Sequence, residues 1–221
     1  MKTVERETAR KLRAQGRSVK ELARLLQVSP SSISLWVRDI ELTEDQQKEL
    51  RRRGNIAATA SIAARGVVRR RQFQDEGRSA ARERNLLHVA GCMLFWAEGS
   101  RERNKVDFVN SDPAMVSFFL RFLRTCFDVP DSKMRVTCNL FADHAERQRK
   151  IEEFWLNVTG LPRVCLRKST VNRYSKYSKK RRRNKLPYGT CRITVYDTRI
   201  VQGIYGAIQE YADFDREEWL M

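Results

Sequence analysis

Two stretches, 133–140 and 189–196, alternate apolar and polar residues with a period of two, and nothing else in the chain restricts its fold as much. In the first, Met134, Val136, Cys138 and Leu140 alternate with Lys133, Arg135, Thr137 and Asn139. In the second, Cys191, Ile193 and Val195 alternate with Thr190, Arg192, Thr194 and Tyr196. Successive side chains of a strand point to opposite faces, so the pattern predicts half-buried antiparallel strands with one wet face. The dry face needs a cover. A helix at 113–127 supplies one, because Met115, Val116, Phe119, Leu120, Phe122, Leu123 and Phe127 make it apolar nearly all round and therefore well buried. The expected class is α+β: an antiparallel sheet over residues 85–221 with helices packed on one face, preceded by an all-α module.

That module covers residues 1–42. Residues 4–15 read as a helix stopped by Gly16. Ser18 caps a second, with Glu21 completing a capping box. Ser29 and Pro30 start a third, which runs through Arg38. Leu22, Ala23, Leu26, Val28, Ile33, Trp36 and Val37 supply its core, with Ile33 and Trp36 seating the third helix on the second. Gln27 occupies the turn, where it costs little unless the backbone needs a positive φ.

Over residues 4–40 this spacing resembles the resolvase-type helix-turn-helix family. The resemblance implies a third helix in the DNA major groove with Ser31, Ser32, Ser34 and Arg38 as candidate contacts, and Leu35 also outward. Serine discriminates bases poorly whereas Arg reads guanine with two hydrogen bonds, so the helix alone should have modest sequence preference. A small trihelical protein–protein module is the bland alternative, and the basic neighbourhood weighs against it.

Residues 43–84 form a basic helical linker. Thr43 is placed to cap it. From Lys48 to Arg84 there are eleven basic residues and four acidic ones. The composition favours helix without a wide apolar stripe, which suits a solvated connection or a helix along a phosphate backbone.

The segment "LLHVAGCMLFWAEGS", residues 86–100, is an apolar helix. Its small residues Ala90, Gly91 and Ala97 would let a second helix approach closely. Glu98 ends it, where a carboxylate opposes the helix dipole and calls for a metal ion, an Arg or a Lys. The ending Ala97-Glu98-Gly99, the following "VDFVNSDPAMVSFFLRFLRTCFDV" and the later strand and helix "GTCRITVYDTRIVQGIYGAI" resemble the LAGLIDADG homing-endonuclease superfamily over roughly residues 86–211. "DHAERQRKIEEFWLNVTGLP" adds a helix to that plan.

The resemblance implies a DNA-binding saddle carrying Arg135, Thr137, Asn139 and Arg192, and a homodimer through Ala90, Gly91, Leu94 and Ala97. If nuclease chemistry persists, it implies Glu98 as catalytic carboxylate and magnesium ligand, with Glu102 and Lys105 as helpers. Alternatively, the 197–211 helix, with Gly203 and Gly206, covers the 86–98 helix within one chain. Bacterial sporulation regulators are similar in joining a degenerate LAGLIDADG domain to a helix-turn-helix, in the opposite order.

Charge points the same way. From Phe154 to Tyr196 there is no acidic residue and there are twelve Lys or Arg. Arg167, Lys168, Arg173, Lys176, Lys179, Lys180, Arg181, Arg182, Arg183 and Lys185 are candidate DNA contacts, with Tyr174, Tyr177 and Tyr188 interleaved. The formal net charge of the chain is +17, for which a polyanion is the natural partner. The N-terminus lacks the apolar core of a signal peptide, and no membrane span is expected. Five cysteines without a C-x-x-C, and two histidines without ligand spacing to them, read as reduced packing residues rather than a zinc site.

The expected function is double-stranded DNA binding in the cytoplasm, at the nucleoid, as a transcriptional regulator. The alternatives are a magnesium-dependent DNA endonuclease acting as a homodimer, and an RNA-binding protein using the tyrosine–lysine loop. No other cofactor, membrane or small-molecule ligand is expected.

Overall fold

A computed structural model describes residues 2–172 and 186–221, apart from the side chains of 142 and 143. The chain divides into two units, Met1–Gly66 and Val67–Met221.

The first unit opens with α1 (Thr3–Ala14), α2 (Val19–Leu26) and α3 (Pro30–Val37). Its boundaries follow from local chemistry. The Glu21 N–H donates to Ser18 Oγ at 3.1 Å and the Ser18 N–H to Glu21 Oε2 at 2.7 Å, a reciprocal capping box. Ser29 Oγ accepts from the Ser32 N–H and Pro30 takes the first helical position. Ala9, Leu22, Ala23, Val28, Ile33 and Val37 form the core, with Leu12, Leu26 and Trp36 packed around it. Two features differ from the sequence reading. Gln27 has φ 52° and ψ 42°, so the turn does need the left-handed conformation that a side chain adopts at a cost. Trp36 is partly rather than fully buried.

Helix α4 (Glu44–Ala81) contains the division between the units. Its start belongs to the first. Thr43 and Gln46 cap each other, Gln46 Nε2 donates to the Ala14 carbonyl at 2.9 Å, and Arg53 reaches Glu21 and the Gly16 carbonyl. Residues 54–65 are exposed on every side.

The second unit continues with α5 (Leu86–Glu98), β1 (Val106–Asn110), α6 (Pro113–Phe127), β2 (Met134–Phe141), α7 (Gln148–Thr159), β3 (Thr170–Asn172), β4 (Thr190–Val195) and α8 (Thr198–Tyr211). The sheet order is β1-β4-β2-β3. β4 pairs antiparallel with both neighbours, in the register Phe108–Ile193–Val136. β3 pairs parallel with β2, so the sheet is mixed. The reason is α7: a parallel neighbour needs a crossover, and α7 is that crossover.

Two strand–helix units repeat one local design. Asp112 after β1 and Asp197 after β4 each accept two backbone N–H groups at the start of α6 and α8. Both helices lie on the apolar sheet face, where Phe108, Met134, Val136, Ile193 and Val195 meet Phe119, Phe122, Trp155, Ile204 and Ile208 in one core.

The most deeply buried helix is α8, in which every residue from Ile200 to Gln209 is buried. The second half of α4 closes over it. A Cβ on Gly77 would stand 2.0 Å from the Gly203 carbonyl oxygen, and one on Gly206 2.0 Å from that of Gln74, so only glycine permits this crossing. The amides at the crossing satisfy one another. Gln74 Nε2 donates to Gln202 Oε1 at 2.7 Å, Gln209 Nε2 donates to Gln74 Oε1 at 3.0 Å, and Gln202 Nε2 donates to the carbonyls of Arg103 and Trp219. Residues 67–81 are therefore part of the second unit's core rather than a solvated connection.

Candidate nucleic-acid interface

In the first unit, α3 lies with Ile33 and Val37 inward. Ser31, Ser34, Leu35 and Arg38 are exposed. Ser32 is half-buried, and its hydroxyl oxygen accepts from Ser29 Oγ at 2.9 Å. Arg38 follows the last helical turn as its cap. The end of α3 is clamped by a pair that sequence reading missed. Arg10 donates from both terminal nitrogens to Asp39, at 2.6 Å each, and also to the Trp36 carbonyl at 2.6 Å. The hydrogen bond from Arg10 is the main reason the Asp39 carboxyl is held down to about 2. Twenty-nine positions separate the partners, so no local spacing signals them.

In the second unit the wet sheet face consists of rows read directly from the register. Asp107, Thr194 and Arg135 align across β1, β4 and β2, and Val109, Arg192 and Thr137 form the next row. Thr190 and Asn139 follow. Several of these side chains are already engaged. Arg135 Nη1 donates to the carbonyls of Ser132 and Met134 at 2.6 and 2.7 Å. Asn139 Nδ2 donates to Thr190 Oγ1 at 3.1 Å.

Asp107, which sequence reading also missed, is the most buried residue of this face at 3% exposure. Its Oδ2 accepts from Arg192 Nη1 at 2.9 Å and Lys105 Nζ at 3.3 Å, and its Oδ1 from Thr194 Oγ1 at 3.3 Å. At Lys105, burial pulls the pKa down, but the charge and hydrogen bond of Asp107 outweigh it and the net shift is upward. A signal was present: Asp107 interrupts "VDFV" between two inward residues, which assigns it to the wet face.

Beside the sheet, Arg167 and Lys168 are exposed, and the Arg167 N–H donates to the Val136 carbonyl at 2.8 Å. Arg173, Lys176, Lys179, Lys180, Arg181, Arg182, Arg183 and Lys185 lie outside the described residues. The chain that follows them is anchored. Tyr188 stacks on Phe154 with centroids 3.8 Å apart, and its carbonyl accepts from Trp155 Nε1 at 2.8 Å.

The residues of helix α5 named in sequence fall in different environments. Gly91 is buried, and a Cβ there would meet the Phe122 ring at 2.2 Å. It serves the packing of α5 on α6 within the chain, which corrects its assignment to a subunit interface. Ala90 and Ala97 are exposed and Leu94 is half-buried; Leu86 is 85% exposed. α8 also packs against α5, so it covers part of that helix and leaves this face open. Glu98 is exposed, and among the described residues it accepts from Asn110 Nδ2 at 3.5 Å. The two proposed helpers pair with each other, Lys105 Nζ to Glu102 Oε1 at 3.6 Å. Among the described residues no group of three or more His, Cys, Asp or Glu is placed to hold a metal ion, and no helix is long and apolar enough to cross a membrane.

Comparison with known families adds a helix-turn-helix domain, whose model matches residues 2–37. No curated protein and no solved structure matches the chain. The helix-turn-helix implies DNA as a partner.

Proposed function

We propose that this protein is a double-stranded DNA-binding transcriptional regulator with two contact surfaces. One is the exposed side of α3, with Ser31, Ser34 and Arg38. The other comprises Arg192 and Thr137 on the wet sheet face with the basic segment from Arg167 to Lys185. The observation that carries this reading is the helix-turn-helix match over residues 2–37, on a three-helix core that leaves α3 exposed. The charge of +17 supports it, because counterion release from DNA favours a basic partner whatever the sequence.

For the second unit we retain the LAGLIDADG-like plan as part of the proposal. Its support is the order of α5, β1 and α6, the repeated Asp-capped strand–helix unit, and helices on one sheet face. A homodimer through Ala90, Leu94 and Ala97 belongs to the same proposal, supported by the exposure of Ala90 and Ala97 beside the half-buried Leu94 on α5.

The experiment is selection of duplexes from a randomised library at several salt concentrations, with and without magnesium. Enrichment of a defined sequence without strand breaks is the expected result. Replacing Lys179, Lys180, Arg181, Arg182 and Arg183 together with Ala should reduce the slope of log affinity against log salt by up to about 4.5, the value for five phosphate contacts. Magnesium-dependent breaks lost in Glu98→Gln would replace the regulator by the endonuclease.

A further inference from the structure

A buried carboxylate on a surface proposed to meet a polyanion requires an explanation. Asp107 repels phosphate, and removing its charge from water is costly unless it is fully hydrogen-bonded. Here it is: Arg192, Lys105 and Thr194 all donate to it. Three donors converge, two from β4 and one from the segment before β1, so the carboxylate is a fixed point of the face.

The consequence falls on Arg192. Its side chain is 40% exposed, against 4% for the side chain of Asp107. Nη1 is held at 2.9 Å by the carboxylate, and among the described residues its Nη2 and Nε donate to no protein atom. A guanidinium is a rigid planar fork. Fixing Nη1 leaves the edge carrying Nη2 and Nε, which is a two-donor edge of the kind that pairs with O6 and N7 of guanine. The neighbours in its row are Val109 and Thr137, which offer no competing charge. Asp107 also neutralises Arg192 locally, so this point of the face attracts a phosphate less than an unpaired Arg would.

We infer that Asp107 is a positioning residue that holds Arg192 for recognition of a guanine base edge by the wet sheet face. The inference rests on the proposed role of that face in DNA binding. Its signature is opposite to that of general damage: loss of Asp107 lowers base preference while leaving attraction to any duplex intact or stronger.

The experiment uses the full chain and a duplex obtained by selection. Affinities are measured for that site, for variants with each guanine replaced, and for random duplex, at one salt concentration. Arg192→Ala should relax preference at one guanine. Asp107→Asn should relax preference at the same guanine by about tenfold, in the range typical of a two-bond contact, with affinity for random duplex unchanged or raised. Full guanine preference in a folded Asp107→Asn protein, at the position that Arg192→Ala relaxes, overturns the inference.

Should Asp107→Asn fail to fold, Arg192→Lys decides. It keeps the charge and can still pair with Asp107, but it has no fork. Loss of the guanine preference supports the inference and its retention overturns it. An Arg192→Ala protein with unchanged affinity and preference at every position removes the sheet face from DNA binding, and the positioning role with it. That failure is distinct from one in which Arg192 reads a base without help from Asp107.

Discussion

The exposed side of α3 and the wet face of the sheet carry similar polar residue types, but they differ in how many of their donors are free. On α3, Ser31, Ser34 and Arg38 are exposed and, among the described residues, their side chains form no hydrogen bond, while the clamp on the helix end is made by Arg10 and Asp39. On the sheet, Arg135 is bound to two carbonyls, Asn139 to Thr190 and Arg192 to Asp107. A count of Lys and Arg therefore overstates what the sheet can offer to a phosphate. The two surfaces should also differ in mechanism: α3 has side chains that adapt to the groove, and the sheet has one cation already oriented.

The sharpest way to test how differently the two units are held together is Gly77→Val. The first unit relies on caps and six buried apolar residues. The second relies in addition on a backbone-to-backbone contact between α4 and α8 that leaves no room for a Cβ. Overpacking there should destabilise the second unit by about 3 kcal/mol or more. In a Trp36→Phe background the remaining tryptophans, Trp96, Trp155 and Trp219, belong to the second unit, so their fluorescence in urea reports it. An unchanged midpoint would mean that the crossing is not a determinant of stability.

The contrast in reading is tested next. Arg38→Ala should cost about 1–3 kcal/mol at one base position, the range for a two-bond contact. That position should differ from the one relaxed by Arg192→Ala. Equal weakening on specific and random duplex would make Arg38 a phosphate contact, and relaxation of the same base pair by both variants would merge the two surfaces into one.

Much of the fold was legible because it rests on local patterns. The period-two alternation gave β2 and β4 with their inward and outward residues, and the capping box at Ser18 and Glu21 gave the start of α2. What was not legible rests on partners far apart in sequence. The crossing of Gly77 and Gly203, the Gln74–Gln202–Gln209 network and the Arg10–Asp39 clamp have no spacing that announces them. The parallel pairing of β3 depends on where α7 returns the chain, which composition does not specify. For the candidate site, outward direction was readable and availability was not. Arg135 and Arg192 have the chemistry of DNA contacts in sequence, and the structure adds the acceptors that already hold them.

A smaller effect isolates the turn of the first unit. Gln27 is left-handed at φ 52°. Gln27→Gly relieves that conformation, while the added freedom of the unfolded chain offsets part of the gain. The net should be a stabilisation of about 0.5–1 kcal/mol, seen as a higher urea midpoint by Trp36 fluorescence in a chain whose other tryptophans are Phe. Destabilisation would mean that the Gln27 side chain makes a contribution larger than the strain.

The smallest expected effect separates the two units by acid sensitivity. Both histidines, His88 and His144, lie in the second unit. His88 is buried against Phe122, Phe127 and Tyr211, with Nδ1 2.6 Å from the Tyr211 hydroxyl. Burial lowers its pKa below the ordinary 6.5, outweighing the opposing pull of Glu83. The unfolded chain then binds this proton more readily than the folded one, so stability rises with pH through this window. The contribution is present above about 6.5 and is lost as pH falls through the folded value. The second unit should have a lower urea midpoint at pH 5.5 than at pH 7.5, and His88→Gln should diminish that difference; an undiminished difference would show that His88 does not carry it. The first unit has no histidine and should be level over the same range. Its carboxylates with lowered pKa are Glu21, held by the Ser18 N–H, Glu49, held by Arg52, and Asp39, held down to about 2 from 3.8 mainly by the hydrogen bond from Arg10. The Asp39 contribution is present above 3.8 and lost as pH falls through about 2. A first unit that weakened between pH 7.5 and 5.5 would contradict the assignment of its acid response to these carboxylates, whose ordinary values are 4.5 or below.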